Sequence, residues 1–259
     1  MSIIESIFLG LIQGLTEFLP VSSSGHLIIA REIFGLSLEG SLAFDVFLNT
    51  ATLFAVIYCF AGDLLALIKD FLTQGFATRS KNLIYALILG TVPAAFFGFL
   101  YGDKIEASFR SGTSVALALI AGSLIMFIAD RMKSKNGLTT LKGFGIGFFQ
   151  ALALIPGISR SGSTISGGLF FGLSREEALR FSFLLLIPVS LGALLKIFLD
   201  LDGARLAEFI SFSHLAGFVA ALFSGIWSVR FLMRYLSGHS FMPFIIYRVL
   251  VALLILIFI

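Results

Sequence analysis

Apolar residues dominate six stretches of this chain, residues 44–60, 83–101, 113–129, 181–199, 212–231 and 243–259, with polar residues gathered between them. Each approaches the roughly 20 residues that an α-helix needs to cross the hydrocarbon core of a bilayer. The pattern therefore predicts six transmembrane helices. Two further apolar stretches are interrupted. Residues 3–19 carry Glu5, Gln13 and Glu17 and stop at Pro20; three serines, Gly25 and His26 follow before apolar residues resume over 27–30. Residues 143–155 are likewise followed by a polar breaker at 156–162 and a less polar run at 163–171. An apolar segment, a Pro/Gly break and a second short apolar segment form the pattern of a re-entrant helical hairpin. Its non-helical backbone survives at membrane depth only against protein or a water-filled cavity. The expected fold is all-α: a polytopic membrane protein with six transmembrane helices plus two re-entrant helical hairpins, in one membrane domain spanning 1–259.

The interrupted stretches are copies of one another. Residues 10–44 recur, shifted by 137 positions, at 147–181. Ser22-Ser23-Ser24-Gly25 aligns with Ser159-Arg160-Ser161-Gly162, Phe34-Gly35-Leu36-Ser37 aligns with Phe171-Gly172-Leu173-Ser174, and Gly10, Gln13, Ile28, Glu39 and Leu42 also find identical partners. The chain thus divides into internal repeats of about 1–130 and 140–259, each one hairpin plus three crossings. A hairpin returns to the side it entered, and three is odd, so the second repeat is expected to be inverted relative to the first. Inverted-topology transporters place their sites at such a repeat interface.

Composition agrees with a membrane setting and adds orientation. Hydrophobic residues make up 58% and charged residues 13% of the chain, against about a quarter charged in soluble domains, and the mean hydropathy is +1.03. The net charge of +3 comes mostly from loops and bears on topology and anionic lipid; no basic, aromatic surface for a nucleic acid is visible. Arg131, Lys133, Lys135 and Lys142 fall on one predicted side with Lys69, Arg79, Lys81, Arg175, Arg180, Arg230 and Arg234, whereas the other side receives Arg31, Lys104, Arg110 and Arg205 beside Asp200, Asp202 and Glu208. The positive-inside rule then places both termini, and the opening of the first hairpin, outside the cytoplasm. Cys59 is the only cysteine, which excludes an intrachain disulfide. No Lys or Arg precedes Gln13 and no small-residue cleavage site follows the first apolar run, so no cleaved signal peptide is expected.

The polar residues at the breaks carry candidate chemistry. Gln13 and Glu17, four apart, share one helix face and offer oxygens to a hard divalent cation, Mg²⁺ or Ca²⁺; the competing reading is that Glu17 is a hydrogen-bonded helix-end residue. Ser22, Ser23, Ser24 and Gly25 present hydroxyls and backbone N–H groups at the start of a helix, which suits an anion as well as simple capping. His26, beside that run, can act as nucleophile, base or acid. Arg160 stands between Ser159 and Ser161, followed by Gly162. Its planar fork matches phosphate oxygens, with Glu17 as the alternative structural partner. Asp45 reads as a helix N-terminal acid, with a place in the pocket lining as the alternative, and Arg248, inside the last apolar stretch, has no assignable partner. Oxygen ligands, a His, hydroxyls and an Arg in a lipid-accessible pocket suit phosphoryl transfer on an amphiphile with an anionic head.

The run Gln13-Gly14-Leu15-Thr16-Glu17-Phe18-Leu19-Pro20-Val21-Ser22-Ser23-Ser24-Gly25-His26, with Pro156-Gly157-Ile158-Ser159-Arg160-Ser161-Gly162, resembles the two hallmark motifs of the bacterial undecaprenyl-diphosphate phosphatase family, the bacitracin resistance type. The resemblance spans nearly the whole chain. It implies removal of the terminal phosphate of undecaprenyl diphosphate, which recycles the lipid carrier of cell-wall polymers at the bacterial inner (plasma) membrane. It implies further that Glu17 and Gln13 support a divalent cation, that His26 and Ser23 are the catalytic pair, and that Ser159 and Arg160 bind the diphosphate; of the pair, we expect His26 to be the essential member. The family accepts Glu or Gln at position 13, and Gln13 removes one charge from the metal site. His26 attacking directly, or activating Ser23 or a water, are equally compatible with the sequence. Ser24-Gly25-His26 also resembles the phosphatidate phosphatase type 2 class, which would need a second His after the Ser-Arg motif; no His lies between His26 and His214. An inverted-repeat lipid transporter or flippase is the alternative reading, and a homodimer is compatible with everything above.

Overall fold

A computed structural model describes residues 1–36, 41–74, 78–135, 137–200 and 211–258. Among these every regular element is an α-helix: α1 (Ile3–Phe18), α2 (Ser23–Phe34), α3 (Ser41–Cys59), α4 (Ala61–Gln74), α5 (Thr78–Phe109), α6 (Gly112–Ala129), α7 (Thr140–Leu152), α8 (Arg160–Phe170), α9 (Arg175–Asp200), α10 (Phe212–Leu236) and α11 (Met242–Phe258). Ser37 and Glu39 of the repeat, and Asp202, Arg205 and Glu208 of the charge pattern, lie outside the described residues.

The helices form a multi-pass membrane protein. Ser80–Ile105, Gly112–Ala129, Arg175–Lys196 and Phe212–Leu236 are each long and apolar enough to span a bilayer. The first expected crossing is different: its helix ends at Cys59, and the chain bends by 68° into α4. That pair makes a fifth span if counted as one. The last, α11, is apolar but has 17 residues, a little under the usual crossing length. Large apolar side chains such as Phe99, Leu199 and Phe258 are mostly exposed along these helices, as expected where the solvent is lipid.

Both expected breaks are present. The first lies between α1 and α2, and the second between α7 and α8. The α8 helix starts at Arg160, three residues earlier than the polar breaker 156–162 implies, because the Ser159 side chain accepts from the Gly162 N–H and caps the helix there. Polarity marked the motif, and capping chemistry marks the boundary.

The interrupted helices exchange partners across the chain: α1 packs on α10, and α7 packs on α5. Small residues make this possible. A Cβ on Gly10 would run into the backbone of Gly217, and a Cβ on Gly147 would stand 2.5 Å from the Gly90 carbonyl. Such close backbone approach through small residues is how helices associate without a hydrophobic driving force between them. Gly10 and Gly147 are repeat equivalents, so the two interrupted segments are seated by one device. Helices α6 and α11 pack on each other, and α8 packs on α9, so that both breaks meet in the interior.

Candidate active site

The Gln13 and Glu17 side chains project from the last turns of α1, and the chain then leaves the helix through Leu19 and Pro20. Ser22 takes φ 77°, as Ser159 takes φ 78° in the second break; they are the only non-glycine residues with positive φ among those described. This conformation costs about 1–2 kcal/mol for an L-residue. Each serine recovers hydrogen bonds there, its Oγ accepting from the N–H three residues on, Gly25 at 3.4 Å and Gly162 at 3.2 Å. Ser22 Oγ also accepts from Gly157 N at 3.1 Å, and Ser161 Oγ donates to the Leu19 carbonyl at 3.1 Å. The breaks are thus tied directly to each other.

Between them lies a cavity of about 220 Å³, lined by Gln13, Glu17, Ser22, Ser23, Ser24, Asp45, Asn49, Thr50, Ser159 and Arg160 and closed by apolar side chains including Leu27, Val46, Leu186 and Val189. Glu17 is its centre. One carboxylate oxygen accepts from Arg160 Nη2 at 2.9 Å; the other accepts from Ser23 Oγ at 2.5 Å and Gln13 Nε2 at 3.1 Å. Glu17 and Arg160 are 11% and 15% exposed, so the pair is shielded yet open to the cavity. Arg160 Nη1 is anchored on the Ser182 carbonyl at 3.0 Å, which fixes the guanidinium plane. Gln13 Nε2 donates also to Asn49 Oδ1 at 2.6 Å.

The structure brings Gln13, Glu17, Ser22, Ser23, Ser24, Ser159 and Arg160 together at one cavity. Gly25, Ser161 and Gly162 do not line it; they are buried in the caps and in the bridge between breaks. His26 is not among the lining residues either. Its Nδ1 is 2.7 Å from the Ser22 carbonyl, so Nδ1 is the donor, and Nε2 accepts from Tyr247 OH at 2.8 Å. Both ring nitrogens are engaged away from Glu17, and the ring stacks on Tyr247.

Asn49, Arg31 and Arg248 take places that the sequence does not indicate, and Asp45 lines the cavity as well as heading a helix. Asn49 and Asp45 face the cavity from α3, one turn apart. The polar pair Asn49-Thr50 inside an apolar run was the signal for this. Asp45 is held by Arg31 through both guanidinium nitrogens, so Arg31, expected in an exposed loop, is instead 2% exposed within α2. Arg248, too, has partners: carbonyls of both breaks, and Leu119 and Ser123 on α6.

A divalent cation is the remaining expectation. Among the described residues no group of three His, Cys, Asp or Glu side chains is placed to hold a metal. The cluster does contain oxygens suited to a hard cation: the Glu17 carboxylate, the Asn49 amide oxygen, the Ser23 hydroxyl and, with its amide turned, Gln13. One carboxylate with neutral oxygens fits a cation that takes its other ligands from a bound phosphate.

Comparison with known proteins adds the final observation. The family model described as bacitracin resistance protein BacA matches residues 6–254. The chain is similar to the undecaprenyl-diphosphatase of Elusimicrobium minutum (strain Pei191), 39% identical over 259 residues and covering 99% of this chain and 98% of that protein. It is also 42% identical to the undecaprenyl-diphosphatase of Hahella chejuensis (strain KCTC 2396), with 96% of each chain covered.

Proposed function

This chain belongs to the bacitracin resistance protein BacA family, and from that premise we propose that it hydrolyses undecaprenyl diphosphate to undecaprenyl phosphate and inorganic phosphate. The observation that carries the chemistry is the contact of Ser23 Oγ with a Glu17 carboxylate that also holds Arg160. A hydroxyl on a carboxylate, beside a fixed guanidinium, at the N-terminus of a helix, is an arrangement for attack on a phosphate.

In the proposed reaction Ser23 Oγ attacks the distal phosphorus while Glu17 accepts its proton. The new Oγ–P bond forms as the bond from phosphorus to the bridging oxygen breaks, and undecaprenyl phosphate leaves with the proton that Glu17 took from Ser23, which returns Glu17 to its carboxylate form. A water then attacks the phosphoserine, giving a proton to Glu17; inorganic phosphate leaves and Ser23 recovers a proton from Glu17. Arg160 offsets charge on the phosphate oxygens, and Ser22, Ser24 and Ser159 offer hydroxyls to them. His26 takes a positioning role, holding the Ser22 carbonyl and so the start of α2. A divalent cation, Mg²⁺ or Ca²⁺, would be held by Glu17 with the Asn49 and Gln13 amide oxygens, and would add positive charge beside the diphosphate.

Apolar side chains from α3 and α9 at the cavity, Val46, Leu186, Val189 and Ala193, suit the first isoprene units of a lipid tail. We place the protein in the bacterial inner membrane, with both termini and the cavity on the extracytoplasmic side, on the strength of the loop charges. Cysteine accessibility that put Ser2 and Lys135 on one side would overturn that orientation. The function itself is tested by phosphate release from undecaprenyl diphosphate with purified protein in detergent, with and without Mg²⁺ or Ca²⁺. Release is expected, and its absence with either ion would end the proposal.

A further inference from the structure

Arg248 is the largest charged side chain buried in the interior apart from Arg31, at 0% exposed, and the reaction scheme above makes no use of it. Among the described residues no acidic side chain pairs with it. Its partners instead include the carbonyls of the two breaks. Nη1 lies 3.2 Å from the Pro20 carbonyl, and Nη2 lies 2.9 and 3.0 Å from those of Gly157 and Ile158. Nε and Nη2 reach the Leu119 carbonyl on α6 at 3.3 and 3.1 Å, and Nε reaches Ser123 Oγ at 3.0 Å. The room for this fork is made by Gly122, where a Cβ would run into Nη2 and stand 2.6 Å from the Ile158 carbonyl.

Pro20 and Gly157 are repeat equivalents, 137 positions apart. One guanidinium therefore bridges the same carbonyl of both copies. Those carbonyls follow the C-terminal ends of α1 and α7, where helix dipoles concentrate negative charge and buried C=O groups need donors. Ser23 lies three residues beyond Pro20, and Arg160 three residues beyond Gly157. The groups that must meet at Glu17 thus hang from two short tethers with a common post.

We propose that Arg248 is a positioning residue for the reaction: it sets the separation of the two breaks, and through it the placement of Ser23 against Glu17 and Arg160. A planar fork can bridge two carbonyls that a single ammonium cannot hold in register. Misplacement by about 1 Å is enough to cost on the order of 100-fold in rate. The proposal rests on the reading of this cavity as the phosphatase site, and its test carries a readout that does not.

The test uses Arg248→Lys in full-length protein, with Cys59→Ser and spin labels at Leu15→Cys and Leu152→Cys, which are exposed positions on α1 and α7. The expected result is a monodisperse protein with a broadened distance distribution between the labels. Its kcat for phosphate release from undecaprenyl diphosphate falls about 30- to 100-fold while KM stays within about threefold. Folded protein with unchanged distances, whatever its activity, or with kcat within twofold of the parent, would overturn the proposal. If Arg248→Lys does not fold, Ser123→Ala removes one of its hydrogen bonds at nearly constant volume. That variant should broaden the same distribution and lower kcat about three- to tenfold, and an unchanged distribution there counts against the strut. A parent protein that releases no phosphate defeats the phosphatase reading alone, since the label distances still report on the breaks.

Discussion

Ser22 and Ser159 have the same backbone conformation, cap their helices by the same bond and keep their Oγ atoms 3.4 and 3.3 Å from the serine two residues on. What projects from these two matched breaks is not the same. Position 17 is Glu and its equivalent is Leu154; position 23 is Ser and its equivalent is Arg160; position 26 is His and its equivalent is Ser163. The first break thus holds an acid and a hydroxyl, the second a cation, and Glu17 joins them. Two identical copies would have faced carboxylate with carboxylate, or guanidinium with guanidinium, at a cost that burial magnifies. Repetition builds a common backbone, and divergence makes the two faces attract.

The sharpest way to break this comparison is at its paired positions. Ser23→Ala should lower kcat for phosphate release by roughly 1,000-fold or more, with the protein folded, because among the described residues no other cavity hydroxyl contacts Glu17. Activity within tenfold of the parent would remove Ser23 as nucleophile. Arg160→Lys should cost about 100-fold, since an ammonium cannot span Glu17 and the Ser182 carbonyl together. His26→Ala should cost only about tenfold, as loss of a hydrogen bond to Ser22 would; a loss equal to that of Ser23→Ala would restore His26 to the chemistry.

Smaller effects sharpen the picture. Gln13→Ala should lower kcat about tenfold by freeing Glu17 and Asn49. Its equivalent Gln150→Ala should leave kcat within twofold, because Gln150 does not line the cavity, donates instead to the Gly90 carbonyl, and its Oε1 has no partner among the described residues. Finally, Ser22→Gly should destabilise the fold about 1 kcal/mol more than Ser159→Gly. Both relieve positive φ, but only Ser22 leaves the buried Gly157 N–H without its acceptor. Thermal unfolding in detergent measures that difference.

Much of the site is legible in the sequence alone. Pro20 and Pro156 announced the breaks, the four-residue spacing of Gln13 and Glu17 put both on one face, and the serine runs announced caps. Arg160 and Glu17 were candidates for each other, and they pair. Other features were not legible, for identifiable reasons. Adjacency of Ser24 to His26 implied a shared site, yet α2 turns the imidazole toward Tyr247, a residue 221 positions away. Arg248 looked partnerless because backbone carbonyls leave no trace in a side-chain pattern. Arg31 looked like a loop charge because Gly35 and Leu36 end the helix only after it, and the Asp45 that neutralises it lies on the next helix.

By itself the sequence determined the membrane setting, the doubled interrupted segment and the residue types that carry charge there. These follow from composition and periodicity, which act locally along the chain. Tertiary structure alone decided which of those groups meet. The exchange of α1 onto α10 and α7 onto α5, seated on small residues, brings the breaks together. Buried donors and acceptors must then be satisfied across that junction, and this requirement selects Glu17, Ser23 and Arg160 for the cavity, turns His26 aside and places Arg248 between the breaks.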